Sequence, residues 1–586
     1  MDITVDPARG GTGAIGHGPR SVVTRRIAAV ATALVGALSL LSAITPDVPW
    51  RRHLLLAVEP GPVMALGHVL ATLCGIALVY VGWGILRGRR RAVNVAIAVL
   101  AALALLHAAK GLDYEESGLA VALAVLLYAA RRSCTRGGAP GRRVLAATVA
   151  TGAIALAYTL DVAILLATDK AEGLGSALST AASTLGEGAW WLSSGSPTAV
   201  VFDVLFVIAL IAAAVLLHAL LRPAEAATGH SPADHARAAE IVTRHGHDSL
   251  DPFALREEKT FFFSHGGLLA YRTLRGTAVV SGDPIGPPGS GMAIVADFLG
   301  FAAEKGWEVV ITAASDRLLD GYRTLGLRTM CIGEEAVVAP AGFSLEGRAI
   351  RKVRQSVTRA ERQGWTLEVV EGLDPGSVLA SELAVVEAAW RAGRERLYGF
   401  AMSLGRLWGA PEDASAVYAL GRAPGGELRS FIRFARCRDT LSLDVMRRSG
   451  DEPNGVSEAL IARTLVWARE QGAREVSLNF AGFAHVMGSQ AQPTRGQRLL
   501  RRGLELVHGR FQLERLMAFN EKFHPEWRRR FLVYEAHARL PLAALRVLQA
   551  EAYIRPPRSR SRATRWTPRF DLSDPSLQLP RPGSTR

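Results

Sequence analysis

The sequence predicts an α-helical polytopic membrane domain followed by a soluble α/β domain built from two similar units. Three observations lead there. Hydrophobic residues make up 49% of the 586 residues and mean hydropathy is +0.18, yet Lys and Arg total 68. Long uncharged runs occur only before Arg222. Beyond it the chain is rich in charge, and strand-like and helix-like patterns alternate. An ordinary soluble enzyme is rarely both this apolar and this basic, whereas a chain split into a lipid-embedded part and a basic soluble part satisfies both.

Residues 1–24 are Gly-rich and polar, which predicts a disordered N-terminus. The run 27–45 carries no charge, nor do 62–86, 92–109 and 198–221 apart from Asp203, and 144–168 is apolar except for Asp161. Each approaches the ~20 residues a helix needs to cross a bilayer. With the shorter run 117–130 they give about six helices over 25–222. Arg25 and Arg26, the RGRRR at 87–91 and the basic loop 131–143 fall in alternate connections. The others hold Asp113, Glu115 and Glu116, or Asp169, Glu172 and Glu187, and only Arg51 and Arg52 run against the pattern. The positive-inside rule then places both termini in the cytoplasm of a multi-pass cell-membrane protein. Asp161 and Asp203 are expected at the membrane surface or against a lipid headgroup.

The soluble part divides into 223–370 and 371–550, with a basic, Pro- and Ser-rich tail at 551–586 read as disordered. In the first unit, 268–283 reads as two strands joined at Arg275-Gly276, followed by a helix at 291–305, a strand at 307–314, a helix at 316–326 and a strand or hairpin at 327–338. In the second, 428–448 forms a hairpin, then come the loop SGDEPNGV, a helix at 457–471 and a strand at 474–482. A hairpin strand here delivers Asp444 and Arg447. The amides of Asn454, Gly455 and Val456 open the following helix, a place where phosphate binds favourably. Val456, Leu460, Ile461 and Leu465 follow helical spacing and give that helix a face to bury. A helix at 346–363 carries Arg348, Arg351, Lys352, Arg354, Arg359 and Arg362, a basic face suited to phosphates.

The net charge of +15 and pI of 10.2 favour polyanionic partners, nucleic acid or an anionic membrane, without choosing between them. Cys74, Cys134, Cys331 and Cys437 are far apart with no CxxC pair, and the His residues are scattered. That pattern argues against a zinc site or a disulfide scaffold, and no metal or cofactor is expected.

The order strand, loop, helix, strand resembles the acyl-carrier-binding core of GNAT acyltransferases. Four blocks carry a more specific resemblance: FALREEKTFFFSHGGLLAYRTLRGTAVVSGDPIGPP (253–288), RKVRQSVTRAERQGWTLEV (351–369), LSLDVMRRSGDEPNGVSEALIARTLVWAREQGAREVSLNFAGF (441–483) and LERLMAFNEKFHPEWRRRFLVY (513–534). In this order they resemble the phosphatidylglycerol lysyltransferases, also called multiple peptide resistance factors. The resemblance implies a tandem GNAT-like (dupli-GNAT) domain that takes an aminoacyl group, lysyl first, from aminoacyl-tRNA and gives it to phosphatidylglycerol in an anionic membrane. The cationic lipid made would lower membrane negative charge and so resist cationic antimicrobial peptides. It further implies a short form, without the flippase module or the fused lysyl-tRNA synthetase of larger members. Alanyl transfer stays open, as does a homo-oligomer.

Ester exchange between a ribose and a glycerol hydroxyl requires proton removal, oxyanion stabilisation and proton return. On the matching motifs, Asp444 is expected to hold the substrate ammonium or shuttle the proton, with Arg447 beside it. Lys522 is the candidate for oxyanion or phosphate stabilisation, and Asn479 and Asn520 are neutral donors. Asn454, Gly455, Val456, Glu514, Arg351, Lys352 and Arg354 form the expected substrate-binding set. Two other readings fit parts of the sequence, a membrane-attached acyl-CoA-dependent GNAT N-acyltransferase and a non-catalytic lipid- or RNA-binding relative.

Overall fold

The computed structural model describes residues 19–44, 61–86, 89–109, 114–131, scattered positions between 158 and 214, and then 229–392, 399–450, 452–482 and 511–554. The N-terminal part contains α1 (Pro19–Ile44), α2 (Gly61–Leu86), α3 (Arg90–Ala109) and α4 (Tyr114–Ala130). Their shared core includes Ala29, Leu78, Val81, Ala96, Leu100, Leu123 and Leu127. Glycines let α1 and α2 approach closely: a Cβ on Gly36 would lie 2.7 Å from the Gly75 carbonyl oxygen.

This region corrects the expected polytopic membrane domain. Among the described residues no helix is long and apolar enough to cross a membrane. The helix α1 carries Arg20, Arg25 and Arg26 in its first turns, α3 opens on Arg90 and Arg91, and α4 is 17 residues long with Glu115 and Glu116 at its start. In α2, side chains are described only from Cys74 onward. The helix α1 also begins inside the segment 1–24 expected to be disordered. The apolar runs around Asp161 and Asp203 lie largely outside the described residues, as does the tail beyond Ile554.

The C-terminal part is one sheet. Its first unit supplies β1 (Thr260–Ser264), β2 (Gly267–Leu274), β3 (Thr277–Ser281), β4 (Glu308–Ala314) and β5 (Arg328–Val338). The second supplies β6 (Thr366–Glu371), β7 (Val417–Arg422), β8 (Leu428–Cys437), β9 (Thr440–Arg448), β10 (Glu475–Gly482) and β11 (Glu526–Tyr534). The helices are α5 (Pro232–His245), α6 (Gly291–Lys305), α7 (Leu319–Thr324), α8 (Arg351–Arg362), α9 (Val378–Arg391), α10 (Val456–Glu470), α11 (Phe511–Asn520) and α12 (Leu540–Ala550).

The eleven strands run β1-β2-β3-β4-β11-β5-β10-β9-β8-β7-β6. In each unit a helix connects two parallel strands, α6 between β3 and β4 and α10 between β9 and β10. The last strands are then exchanged. Strand β5 of the first unit pairs with β10 of the second, and β11 of the second unit enters between β4 and β5. Pairing on both sides is why 328–338 is one long strand rather than a hairpin.

Local sequence explains the helices that frame the site. Ser231 and Asp234 form a capping box on α5 with Pro232 in its first turn. Val353, Val357 and Ala360 bury one face of α8 and leave Arg351, Lys352, Arg359 and Arg362 exposed. On α10, Val456, Leu460, Ile461 and Leu465 are all buried. One core layer joins α8, α10 and Phe523 to Leu443 and Leu478. Layers on the opposite face hold α5, α9, α12 and Phe400–Leu404.

Candidate active site

The geometry starts from an irregularity in β9. Phe434 pairs with Leu443 but Arg433 pairs with Val445, so Asp444 is an extra residue in a β-bulge. Strict alternation would put residues 444 and 447 on opposite faces of the sheet. The bulge resets it: Leu443 packs in the α8/α10 layer, Val445 in the α9 layer. Asp444 and Arg447 therefore share the α9 face.

They do not pair with one another. The Asp444 carboxylate accepts the Leu404 amide at 2.9 Å and is ion-paired with Arg433, and its side chain has 0% exposure. Arg447 stacks on Trp390 at 3.7 Å and bonds Glu387 at 2.5 Å. Burial lowers the pKa of its guanidinium, opposed by Glu387 and then by Asp444. Arg433 also reaches Asp413 at 2.6 Å. Burial opposes the charge of Arg433, but Asp444, Tyr418 and Asp413 outweigh it and hold the group above its usual range.

A split in the sheet lies beside Asp444. Strands β9 and β10 pair only from Thr440–Ser442 to Glu475–Ser477, after which β10 shifts register against β5. Asn479 sits at the divergence with φ +77°, a left-handed conformation that Asn tolerates better than most residues. Its Nδ2 donates to the Leu443 carbonyl at 2.8 Å and to the Met402 carbonyl at 2.9 Å. The segment Gly399–Gly405 is thus gripped from several elements. Arg256 donates to the Gly399 and Ser403 carbonyls at 3.0 and 3.1 Å, and Glu551 accepts the Ala401 amide at 3.1 Å. In the first unit the corresponding strand end is packed shut. Asp283 accepts from Ser315 and, at 2.7 Å, from the Tyr322 hydroxyl, and burial pushes its carboxyl up.

On the other face, the opening of α10 meets α8 and the segment after α11. Gly455 has φ +101°, and a Cβ there would lie 2.6 Å from Ser356 Oγ on α8. Arg359 donates to the Asn454 carbonyl at 3.3 Å, and the Val456 amide is used by the Pro453 carbonyl at 3.3 Å. Lys522 bonds Glu458, in the first turn of α10, at 2.7 Å. Asn520 is 1% exposed and its Nδ2 has no hydrogen-bond partner among the described residues, an arrangement that calls for a ligand, a water or a functional reason. Arg354 caps the Leu345 and Gly347 carbonyls at 2.7 and 2.9 Å, while Arg351 and Lys352 stay exposed and make no ion pair among the described residues. The Glu514 side chain lies outside the described residues.

The structure therefore gathers Asn454, Gly455, Val456, Lys522 and α8 on one face, Asp444 and Arg447 on the other, with Asn479 at the split between them. Sequence reasoning missed the buried Arg433, Asp413 and Arg406 and the partly buried Glu412, the charges behind Asp444. The available signal was Arg433 itself, a charge inside the apolar strand FIRFA.

A doubled strand–helix–strand core, split next to a bulge in its second copy, defines a tandem GNAT-like acyltransferase domain. Residues 239–534 match the family model described as phosphatidylglycerol lysyltransferase, C-terminal, and the chain belongs to that family. It is 33% identical over 365 residues to the lysylphosphatidylglycerol biosynthesis bifunctional protein LysX of Rhodococcus jostii (strain RHA1), covering 61% of this chain and 32% of that protein. Over 366 residues it is 33% identical to the same-named protein of Mycobacterium tuberculosis (strain ATCC 25618 / H37Rv), covering 61% of this chain and 31% of that one. The chain thus spans about a third of the length of the curated relatives it matches. A solved structure of L-PGS from Bacillus licheniformis is 26% identical with a TM-score of 0.48, covering 56% of this chain and 99% of that one.

Proposed function

We propose that this protein transfers a lysyl group from lysyl-tRNA to phosphatidylglycerol, forming a cationic lipid. The observation that carries this reading is the placement of the candidate groups on two faces of one sheet around a split. A tRNA and a lipid are both too large to enter the same pocket from one side. The α8 face offers exposed cations at Arg351 and Lys352, without an ion pair among the described residues, for tRNA phosphates. Beside them, we assign Lys522 and the Asn520 amide, which has no partner among the described residues, to steadying the oxyanion or the ribose end of the ester. The opposite face, with Asp444 and Arg447, receives the glycerol headgroup, and the aminoacyl ester reaches it across the split held by Asn479.

In this scheme Asp444 helps remove the acceptor proton or holds the lysyl ammonium, and Arg447 balances charge as the tetrahedral centre forms. No redox step or group carrier is required, because one ester is exchanged for another. The donor places this domain on the cytoplasmic side of the cell membrane, and the product reduces the membrane's negative charge and its attraction for cationic antimicrobial peptides. Expression in a host that lacks aminoacylated lipids tests the reading by lipid mass spectrometry. Lysyl-phosphatidylglycerol is expected; unchanged lipids despite confirmed expression of folded protein would refute it.

A further inference from the structure

Behind Asp444 runs a chain of ion pairs that the proposed chemistry does not use. Arg433 holds Asp444 and, through its other nitrogen, Asp413 at 2.6 Å. Asp413 accepts from Arg406 at 3.1 Å, and Arg406 is also paired with Glu412. Glu412 then meets His235 Nε2 at 2.8 Å, His235 Nδ1 meets His230 Nε2 at 2.9 Å, and His230 Nδ1 meets the Lys259 carbonyl at 2.8 Å. The series links α5 to the bulge in β9.

Proton counting fixes the state of the histidine end. A carbonyl only accepts, so His230 Nδ1 carries a hydrogen; the other two links, His230–His235 and His235–Glu412, each need one as well. Two neutral imidazoles and a carboxylate supply two hydrogens for three links. The pair therefore holds one proton more than two neutral rings, kept on the ring side because Arg406 already neutralises Glu412. The charges agree. Arg406 and Arg433 against Glu412, Asp413 and Asp444 leave one negative charge, which the extra proton cancels. Burial makes His230 a poor site for that charge. The other groups facing the pair are Glu257, Arg406 and the Phe261 ring at 4.6 Å from His230.

We propose that Arg433 is the positioning residue for Asp444, and that it is held in register by Asp413, Arg406 and Glu412, closed by one proton shared between His230 and His235. The proposal rests on the reading of Asp444 as a participant in the transfer. A planar guanidinium can address two carboxylates at once and an ammonium cannot reproduce that geometry. Loss of the shared proton at higher pH leaves two hydrogens for three links, opens either the His230–His235 or the His235–Glu412 contact, and loosens the chain from its far end.

The test is single-turnover transfer from labelled lysyl-tRNA to phosphatidylglycerol vesicles by the full chain, between pH 5.5 and 8 as an order-of-magnitude window around the ordinary histidine range. Arg433→Lys should lower the rate at saturating substrate by roughly 10²-fold, the cost of a misplacement of about 1 Å, with both apparent KM values nearly unchanged. His235→Gln keeps a donor toward Glu412 that does not titrate, so the wild-type fall in rate with rising pH should flatten. His235 lies at the rim and offers a second reading where Arg433→Lys fails to fold. Full activity of Arg433→Lys, a change in KM alone, or an unaltered pH profile in His235→Gln overturns the proposal. An Asp444→Asn control separates the causes. If that variant is fully active, the reading of the site falls and takes the proposal with it; if it is inactive beside a fully active Arg433→Lys, the proposal alone is wrong.

Discussion

Replacing Arg530 by Met should destabilise both units of the sheet at once. Arg530 lies on the exchanged strand β11 and is 3% exposed. It donates from Nε to Glu335 at 2.9 Å and makes two bonds of 3.0 and 2.9 Å to Asp248. Glu335, on β5, is fully buried and also accepts from Ser249 and Ser477, the latter on β10. One guanidinium therefore joins the exchanged strands of both units to the segment after α5. Removing it leaves the buried Glu335 without its cation and Asp248 with Arg317 alone at 3.3 Å, and breaking such a buried pair typically costs about 3–5 kcal/mol. In a domain of this size each kcal/mol moves Tm by roughly 2–4 °C, so the shift should be of order 6–20 °C. Thermal and denaturant unfolding of the full-length protein, followed by circular dichroism and tryptophan fluorescence, measures it. Because the strands are exchanged, the variant should retain a single transition for the sheet. Adding Glu335→Gln should recover part of the loss, since the carboxylate left uncompensated is then gone. A shift below about 2 °C, or two separated transitions of which one moves, would refute the strand-exchange argument.

Three further outcomes are expected. Gly455→Ala should cost about 1–3 kcal/mol in denaturant unfolding, because it forces a left-handed alanine at φ +101° against Ser356; a neutral effect would contradict the packing of α8 on the opening of α10. Burial and the neighbouring Asp248 push the Asp251 carboxyl up to about 7. Its folded pKa is raised, so its contribution is present below the ordinary carboxylate range near about 4 and lost as pH rises through 7. Asp251→Asn should accordingly flatten the stability–pH curve over that window, and an unchanged slope would count against it. Arg351→Ala with Lys352→Ala should weaken tRNA binding and lower the slope of log K against log salt by about 2; loss of turnover at saturating tRNA with an unchanged slope would assign these residues elsewhere.

How much of this was legible in the sequence depended on whether the signal was local. The helices at 291–305 and 457–471 and the strands at 307–314 and 474–482 were readable because periodic apolar residues and Gly boundaries mark them in place. Strand β11 was not read, because EWRRRFLVY is half charged and becomes a strand through pairing with β4 and β5 from the other unit. The helical capping of α5 at Ser231 was written in the sequence and overlooked. The membrane domain was over-read: apolar runs were counted as spans, while the arginines that open α1 and α3 belong to the helices themselves. At the site, residue identities were readable from motif resemblance, but their grouping was not. No spacing rule puts Asp444 and Arg447 on one face, since only a bulge does so. Nor does any rule pair Asp444 with Arg433, which lies eleven positions away across a hairpin.

The central claim is that groups on two faces of the split sheet move a lysyl ester from tRNA to lipid. Transfer of radiolabel from lysyl-tRNA into the lipid fraction of phosphatidylglycerol vesicles tests it most directly, with wild type, Asp444→Asn and Lys522→Ala compared as folded full-length proteins. Labelled lysyl-phosphatidylglycerol should form with wild type and fall by on the order of 10²–10⁴ in rate with either variant. Wild-type protein that binds lysyl-tRNA and vesicles yet leaves all label on the tRNA, or variants of both faces that turn over at the wild-type rate, would contradict the account.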